Sequence, residues 1–195
     1  MKNSKLSFRF KGSRVYVHGT DMFNAINGIM ADGNDGYVSD LSFRRPARKN
    51  CELHFDKVEM DMCVATGRVR QLSGAEVPFW ITEGDSEVQG RVEYDEDLIV
   101  TNAAFDDASV RLDQPTRFTL IEEIVALTKA LSYRLGPDVD GKWLFGQLKL
   151  DAPFPSLYTT REIRRQSFIG NRYSSNEILI DAKPVGQIRF IVGKP

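Results

Sequence analysis

The segment Thr119 to Pro137 constrains the fold more than any other. Thr119 and Glu122 have the spacing of a capping box, in which each side chain can satisfy the other's backbone donor. Leu120, Ile121, Ile124, Val125, Leu127, Leu131 and Leu135 then make a broad apolar face, and Gly136-Pro137 stops the run. The spacing predicts a helix from Leu120 to Leu135 whose face must be covered. The rest of the chain beyond Pro137 can cover it: Trp143 to Leu150, a corner at Ala152-Pro153-Phe154-Pro155, and strand-like stretches Thr160 to Ile169, Glu177 to Ile180 and Val185 to Val192. A helix covered by antiparallel strands joined by short turns predicts an α+β fold.

The same order occurs earlier in the chain. Leu6 to Phe10 and Arg14 to His18 alternate at period two around Gly12 and Ser13 and predict strands. Gly19-Thr20-Asp21 offers helix-capping groups, and Met22, Phe23, Ile26, Ile29 and Met30 recur at helical spacing. That helix should stop in Ala31-Asp32-Gly33-Asn34-Asp35-Gly36, where two glycines can take left-handed conformations. Strands are predicted over Tyr37 to Phe43, Cys51 to Phe55, Cys63 to Leu72, Val77 to Ile81, Val88 to Tyr94 and Leu98 to Val100, with turns at Ser73-Gly74 and Glu83-Gly84-Asp85. In each half a helix precedes a strand that runs into a proline corner, at Arg45-Pro46 and at Ala152-Pro153. The halves share order without sequence identity, and the expected division is residues 1–104 and 105–195.

Composition narrows the function classes. Twenty-six basic and 27 acidic residues leave a net charge of -1, so no overall field draws the chain to nucleic acid or an anionic membrane. No stretch has the roughly 20 apolar residues that span a bilayer, and MKNSKLSFRF lacks an apolar signal core, so a cytoplasmic location is expected. Cys51 and Cys63 stand alone without a Cys/His cluster and read as two buried thiols, with no metal site and no cofactor implied. Neither a Gly-rich phosphate loop nor a Gly-x-Ser-x-Gly elbow occurs.

The helix Leu120 to Leu135, the stretch Trp143-Leu144-Phe145-Gly146-Gln147-Leu148-Lys149-Leu150-Asp151, the proline corner and the hairpins Thr160 to Ile169 and Glu177 to Val192 resemble the hotdog fold. In that fold a long antiparallel sheet curls round a central helix, and the doubled order resembles its tandem, double-hotdog form. The resemblance implies two hotdog-like units packed as a pseudo-dimer, with an acyl tunnel between the halves. It implies acyl-thioester chemistry, as in 3-hydroxyacyl dehydratases and thioesterases of the fatty acid biosynthesis type. The partners would be acyl-CoA or an acyl carrier protein, and a homodimer is among the assemblies such a fold allows.

The dehydratase branch sets a histidine before one helix and a carboxylate on the other. Here His18 precedes the first helix, and Glu122 and Glu123 lie on the second. A histidine titrates near neutral pH and a desolvated glutamate can hold a proton, so the pair suits general acid-base work. Glu122 is claimed by the cap, which favours Glu123, with Asn27 as an orienting amide. His18 is followed by Gly19-Thr20-Asp21 rather than by the prolines and glycine of the dehydratase pattern. It reads equally as a hydrogen-bonded histidine at a strand end. The runs Arg44, Arg45, Arg48 and Arg161 to Arg165 suit coenzyme phosphates or an acidic carrier, although most charge runs are solvated faces or protected sheet edges. Gly28 within the first helix suggests close approach by another helix or by a ligand. Two further readings stand beside the enzyme: a non-catalytic module that binds an acyl group or a protein partner, and a single closed β-barrel-like domain.

Overall fold

A computed structural model describes residues 1–33 and 36–194, so Asn34 and Asp35 of the expected helix stop lie outside the described residues. By their contacts the residues divide into two compact units, Met1–Tyr94 and Asp95–Pro195.

The first unit contains β1 (Ser4–Leu6), β2 (Phe10–Lys11), α1 (Gly19–Asp32), β3 (Tyr37–Phe43), β4 (Lys49–His54), β5 (Cys63–Arg70), β6 (Glu76–Glu87) and β7 (Arg91–Val92). Five strands form an antiparallel sheet in the order β1-β4-β6-β5-β3, while β2 and β7 pair in parallel on their own. Helix α1 packs on β3 and buries Met22, Phe23, Ile26 and Met30 of the face its spacing predicts, together with Thr20, while Ile29 is only half-buried. Leu41, Leu53, Ala65, Val69, Phe79 and Ile81 fill the core of this unit.

Several local expectations fail here. Arg14 to His18 forms no strand: Gly12 turns the chain with φ +54, and Val15 points to solvent. The segment is fixed instead by Arg91, which donates to the carbonyls of Gly12 and Arg14, and by Val17 N–H donating to Ala47 O at 2.7 Å. The expected turn at Glu83-Gly84-Asp85 lies inside β6, whose pairing with β4 continues from His54↔Trp80 to Lys49↔Glu87. Val88 to Tyr94 contributes only the two residues of β7. Gly33 caps α1 in a right-handed conformation, whereas Gly36 has φ +120, and a Cβ there would stand 2.0 Å from the Arg70 carbonyl oxygen. Gly28 is exposed, and no described atom lies within 4 Å of where its Cβ would stand, so no neighbouring helix of the described residues makes the expected close approach.

The second unit contains α2 (Asp97–Val100), β8 (Ala104–Phe105), β9 (Ser109–Leu112), α3 (Leu120–Leu135), β10 (Lys142–Leu150), β11 (Arg161–Ile169), β12 (Tyr173–Ile180) and β13 (Lys183–Gly193). Its strands form an antiparallel sheet in the order β10-β13-β12-β11-β9-β8. Leu98 to Val100, expected as a strand, is helix α2, which packs on α3 and buries Ile99. That packing, together with the β8–β9 pair, places the division by contacts at Tyr94/Asp95, ahead of the expected 104/105.

Helix α3 lies against β9 to β13, and eleven of its residues are buried, so it is enclosed on almost every side over its first nine positions. The capping box is formed as predicted: Thr119 N–H and its hydroxyl donate to Glu122 Oε2 at 2.7 and 2.8 Å. Polar groups under α3 pair in series. Thr128 donates to Ile124 O and Ser132 to Thr128 O, so at 3.2 Å Ser174 donates to Ser132, and Asn176 donates to Ser174. Among the described residues no helix is long and apolar enough to cross a membrane.

Candidate functional site

His18 and Asn27 belong to the first unit and Glu122 and Glu123 to the second. Each is therefore built up within its own surroundings.

His18 is the N-cap residue of α1, in extended conformation, and its ring does not cap the helix. Nδ1 lies 2.7 Å from Thr20 Oγ1, and the ring sits 5.5 Å from the Tyr94 ring centroid. Lys11 Nζ donates to the same Thr20 oxygen at 3.1 Å and pairs with Asp21 Oδ1 at 2.5 Å. Lysine can only donate, and Thr20 is fully buried with no other partner for its proton among the described residues. The Thr20 hydroxyl accepts from Lys11 and meets His18 Nδ1, the sense of that second contact following the imidazole tautomer. Asn27 Oδ1 accepts from Val38 N–H at 3.4 Å, tying α1 to β3. Asp21 and Asn24 line a cleft of about 280 Å³ with Lys11.

Glu123 is 1% exposed, and so is the guanidinium that meets it: Arg161 Nη2 lies 2.7 Å from Glu123 Oε1. Thr116 donates to the same oxygen, and the Tyr158 hydroxyl donates to Oε2 at 3.2 Å. Three donors converge on one carboxylate, which serves as acceptor to all of them. Arg161 also donates to Gln114 O at 2.5 Å and to Thr159 O at 3.2 Å, so it joins the β9–α3 loop, α3 and the start of β11. Burial first, and the Glu123 charge second, push the Tyr158 phenol up to about 12, which keeps it a donor. Glu122 is held by the cap described above.

The basic corner divides in use. Arg45 pairs with Glu83 at 2.6 Å, and the other Glu83 oxygen accepts from the backbone N–H of Arg48 and Lys49. Burial opposes ionisation of Glu83, but Arg45 and these backbone donors outweigh it and hold its carboxyl below the usual range. Arg44 and Arg48 are exposed, and neither side chain has an ion pair or hydrogen bond among the described residues. Arg161 to Arg165 is not a comparable cluster, because Arg161 is spent inside on Glu123 and Arg164 pairs with Glu162 and Glu177.

Both cysteines are free and buried. Burial, followed by the Glu83 charge, pushes the Cys51 thiol up to about 12, and burial also raises that of Cys63. Neither thiol is prepared as a nucleophile. His54 Nε2 lies 2.9 Å from Thr82 Oγ1 and 3.9 Å from Glu52.

Sequence reading missed Lys11, Thr116 and Tyr158, took Thr20 as a helix-capping group and placed Arg161 in a charge run suited to phosphates. Arg161 carries the one usable signal: it stands two residues from Ile163 on the same strand face, and Ile163 is fully buried. A charge in phase with a core residue needs a buried partner, and the glutamates of α3 were the available ones.

No protein-family model matches the chain, and no curated protein matches it in sequence. In structure it is similar to the pyran synthase domain from module nine of the sorangicin pathway, at 9% identity and a TM-score of 0.50, covering 99% of this chain and 92% of that one. It is also similar to the erythromycin dehydratase, at 13% identity and a TM-score of 0.46 over 98% and 89% of the two chains. A dehydratase domain from Pseudomonas fluorescens gives 14% identity and 0.46 over 95% and 96%. At a TM-score of 0.50 and this identity, the first likeness shows the fold alone.

Proposed function

We propose that this chain, a hotdog-fold protein of dehydratase-like architecture whose length and large antiparallel sheet fit the double-hotdog form, binds an acyl thioester without turning it over. The thioester would be carried on coenzyme A or an acyl carrier protein in the cytoplasm. The observation that carries the proposal is the surroundings of Glu123. A dehydratase acid must present a proton to a leaving hydroxyl. Glu123 instead accepts from Arg161, Thr116 and Tyr158 within a buried cluster that ties three segments together. In this reading Arg44 and Arg48, whose side chains have no partner among the described residues, take the phosphates of the carrier, and Arg45 shapes the corner through Glu83.

A second reading keeps catalysis, as a dehydratase or thioesterase. It is favoured by one observation: His18 is pre-oriented at the head of α1 by Thr20, whose hydroxyl oxygen lies 2.7 Å from its Nδ1. Asn27, with its oxygen on Val38, retains amide protons to orient a carbonyl.

Native mass spectrometry of the protein purified from a cell extract, together with turnover assays on 3-hydroxyacyl-carrier and acyl-CoA substrates, separates the two. The expected result is a retained acyl ligand with no turnover above background. Turnover that His18→Ala abolishes while the fold persists would overturn the binding reading in favour of the enzyme.

A further inference from the structure

We infer that the cleft between α2 and the β9–α3 loop of the second unit binds a small amphipathic carboxylate, independently of the thioester reading above. The cleft has a volume of about 360 Å³, at the lower end of the range for small-molecule sites. Leu98, Leu112, Pro115 and Phe118 give it apolar walls, and Leu98 is 49% exposed.

Both walls are fastened to α3. On one side Thr116 donates to Glu123, and Gln114 O accepts from Arg161, so the buried ion pair holds the loop. On the other side Lys129 of α3 pairs with Glu96, the N-cap residue of α2, at 2.7 Å. A cleft whose walls are held by ion pairs is set before any ligand arrives, which lowers the ordering cost of binding.

The polar groups define what it takes. Arg117 lines the cleft, and its side chain makes no ion pair or hydrogen bond among the described residues; the guanidinium lies 5.4 Å from the centroid of the Phe118 ring. Nearby Arg111, by contrast, is paired with Asp113 at 2.7 Å. The side-chain amides of Asn102 and Gln114 also line the cleft without a partner among the described residues. A guanidinium with no carboxylate of its own above an apolar floor matches a carboxylate on a short hydrocarbon body, because guanidinium and carboxylate share bidentate geometry.

Titration of the ¹⁵N-labelled full chain with hexanoate, and with hexanamide as the neutral probe of the same length, tests this by NMR. For a ligand of this size the dissociation constant should be on the order of millimolar. Shifts should saturate and centre on Leu98, Leu112, Thr116 and Phe118, with hexanoate binding more tightly than hexanamide. Arg117→Met should weaken hexanoate about fivefold and leave hexanamide unchanged, as suits an exposed charge pair. Leu98→Asp should weaken both probes. The inference fails if shifts do not saturate, if they centre elsewhere, if chloride alone reproduces them, or if Arg117→Met affects both probes equally. None of these outcomes depends on whether the chain retains an acyl thioester.

Discussion

Replacing Arg161 by methionine removes the cation from a carboxylate that has no route to water. Glu123 and Arg161 are each 1% exposed, so solvent does not screen their contact. Removing one member of such a pair typically costs about 3–5 kcal/mol, because the other charge stays buried without its partner. Here Thr116 and Tyr158 still donate to Glu123 and soften the loss. The carbonyls of Gln114 and Thr159 lose their donor, however, at about 1 kcal/mol or more each where water cannot replace it. The expected cost is therefore about 4 kcal/mol. Arg161→Met combined with Glu123→Leu removes both charges and should lie within about 2 kcal/mol of the parent, because the desolvation cost disappears with the pair. The double-mutant cycle should thus show a coupling of about 2 kcal/mol or more. Urea unfolding is the right assay, since guanidinium would screen charges as well as unfold the chain. In a Trp80→Phe background the remaining Trp143, which is 2% exposed within the second unit, reports that unit directly. A loss below about 1 kcal/mol for Arg161→Met, or a double variant as unstable as the sum of the singles, would refute the structural role assigned to the pair.

Three further outcomes rest on the geometry. Gly28→Ala should stabilise the chain by about 0.5–1 kcal/mol, read as a raised urea midpoint, because α1 gains a helix former where no described atom crowds the new methyl. Cys51 should react with iodoacetamide at pH 8 about a thousandfold more slowly in the native protein than after unfolding, since its thiol is pushed from 9.0 to about 12. Glu83→Gln should flatten the acid limb of the stability curve. The Glu83 carboxyl lies below its ordinary 4.5 in the folded chain, so its contribution is present above that value and is lost as pH falls through the folded one. Urea midpoints at pH 7 and pH 4 should therefore differ less in the variant than in the parent.

The fold was legible where one physical signal acted alone. Leu120 to Leu135 forms the helix its period and its Thr119–Glu122 cap predict, and β10 and β11 match their expected bounds within one residue, whereas β12 starts at Tyr173, ahead of the expected Glu177. Legibility failed where distant partners decided. Arg14 to His18 alternates like a strand, but no strand among the described residues offers it a ladder, and Arg91 with Ala47 ties the segment down in an irregular course. Glu83-Gly84-Asp85 reads as a turn until β4 supplies a partner strand that reaches Glu87. The site obeys the same rule. Residue type and spacing singled out His18 and Glu123, and both are buried and hydrogen-bonded. Their buried surroundings, however, include Lys11 and Arg161, one seven residues upstream of His18 in a two-residue strand and the other 38 residues downstream of Glu123 in a run that reads as surface charge. A pattern of chemistry-bearing residues therefore locates a candidate pair, but the direction of each hydrogen bond decides its role. A guanidinium can only donate, so Glu123 accepts from Arg161, whereas Thr20, which accepts from Lys11, can meet His18 Nδ1 in either sense. The same residue types in the same pattern therefore support both the binding and the catalytic reading until the bonds around them are known.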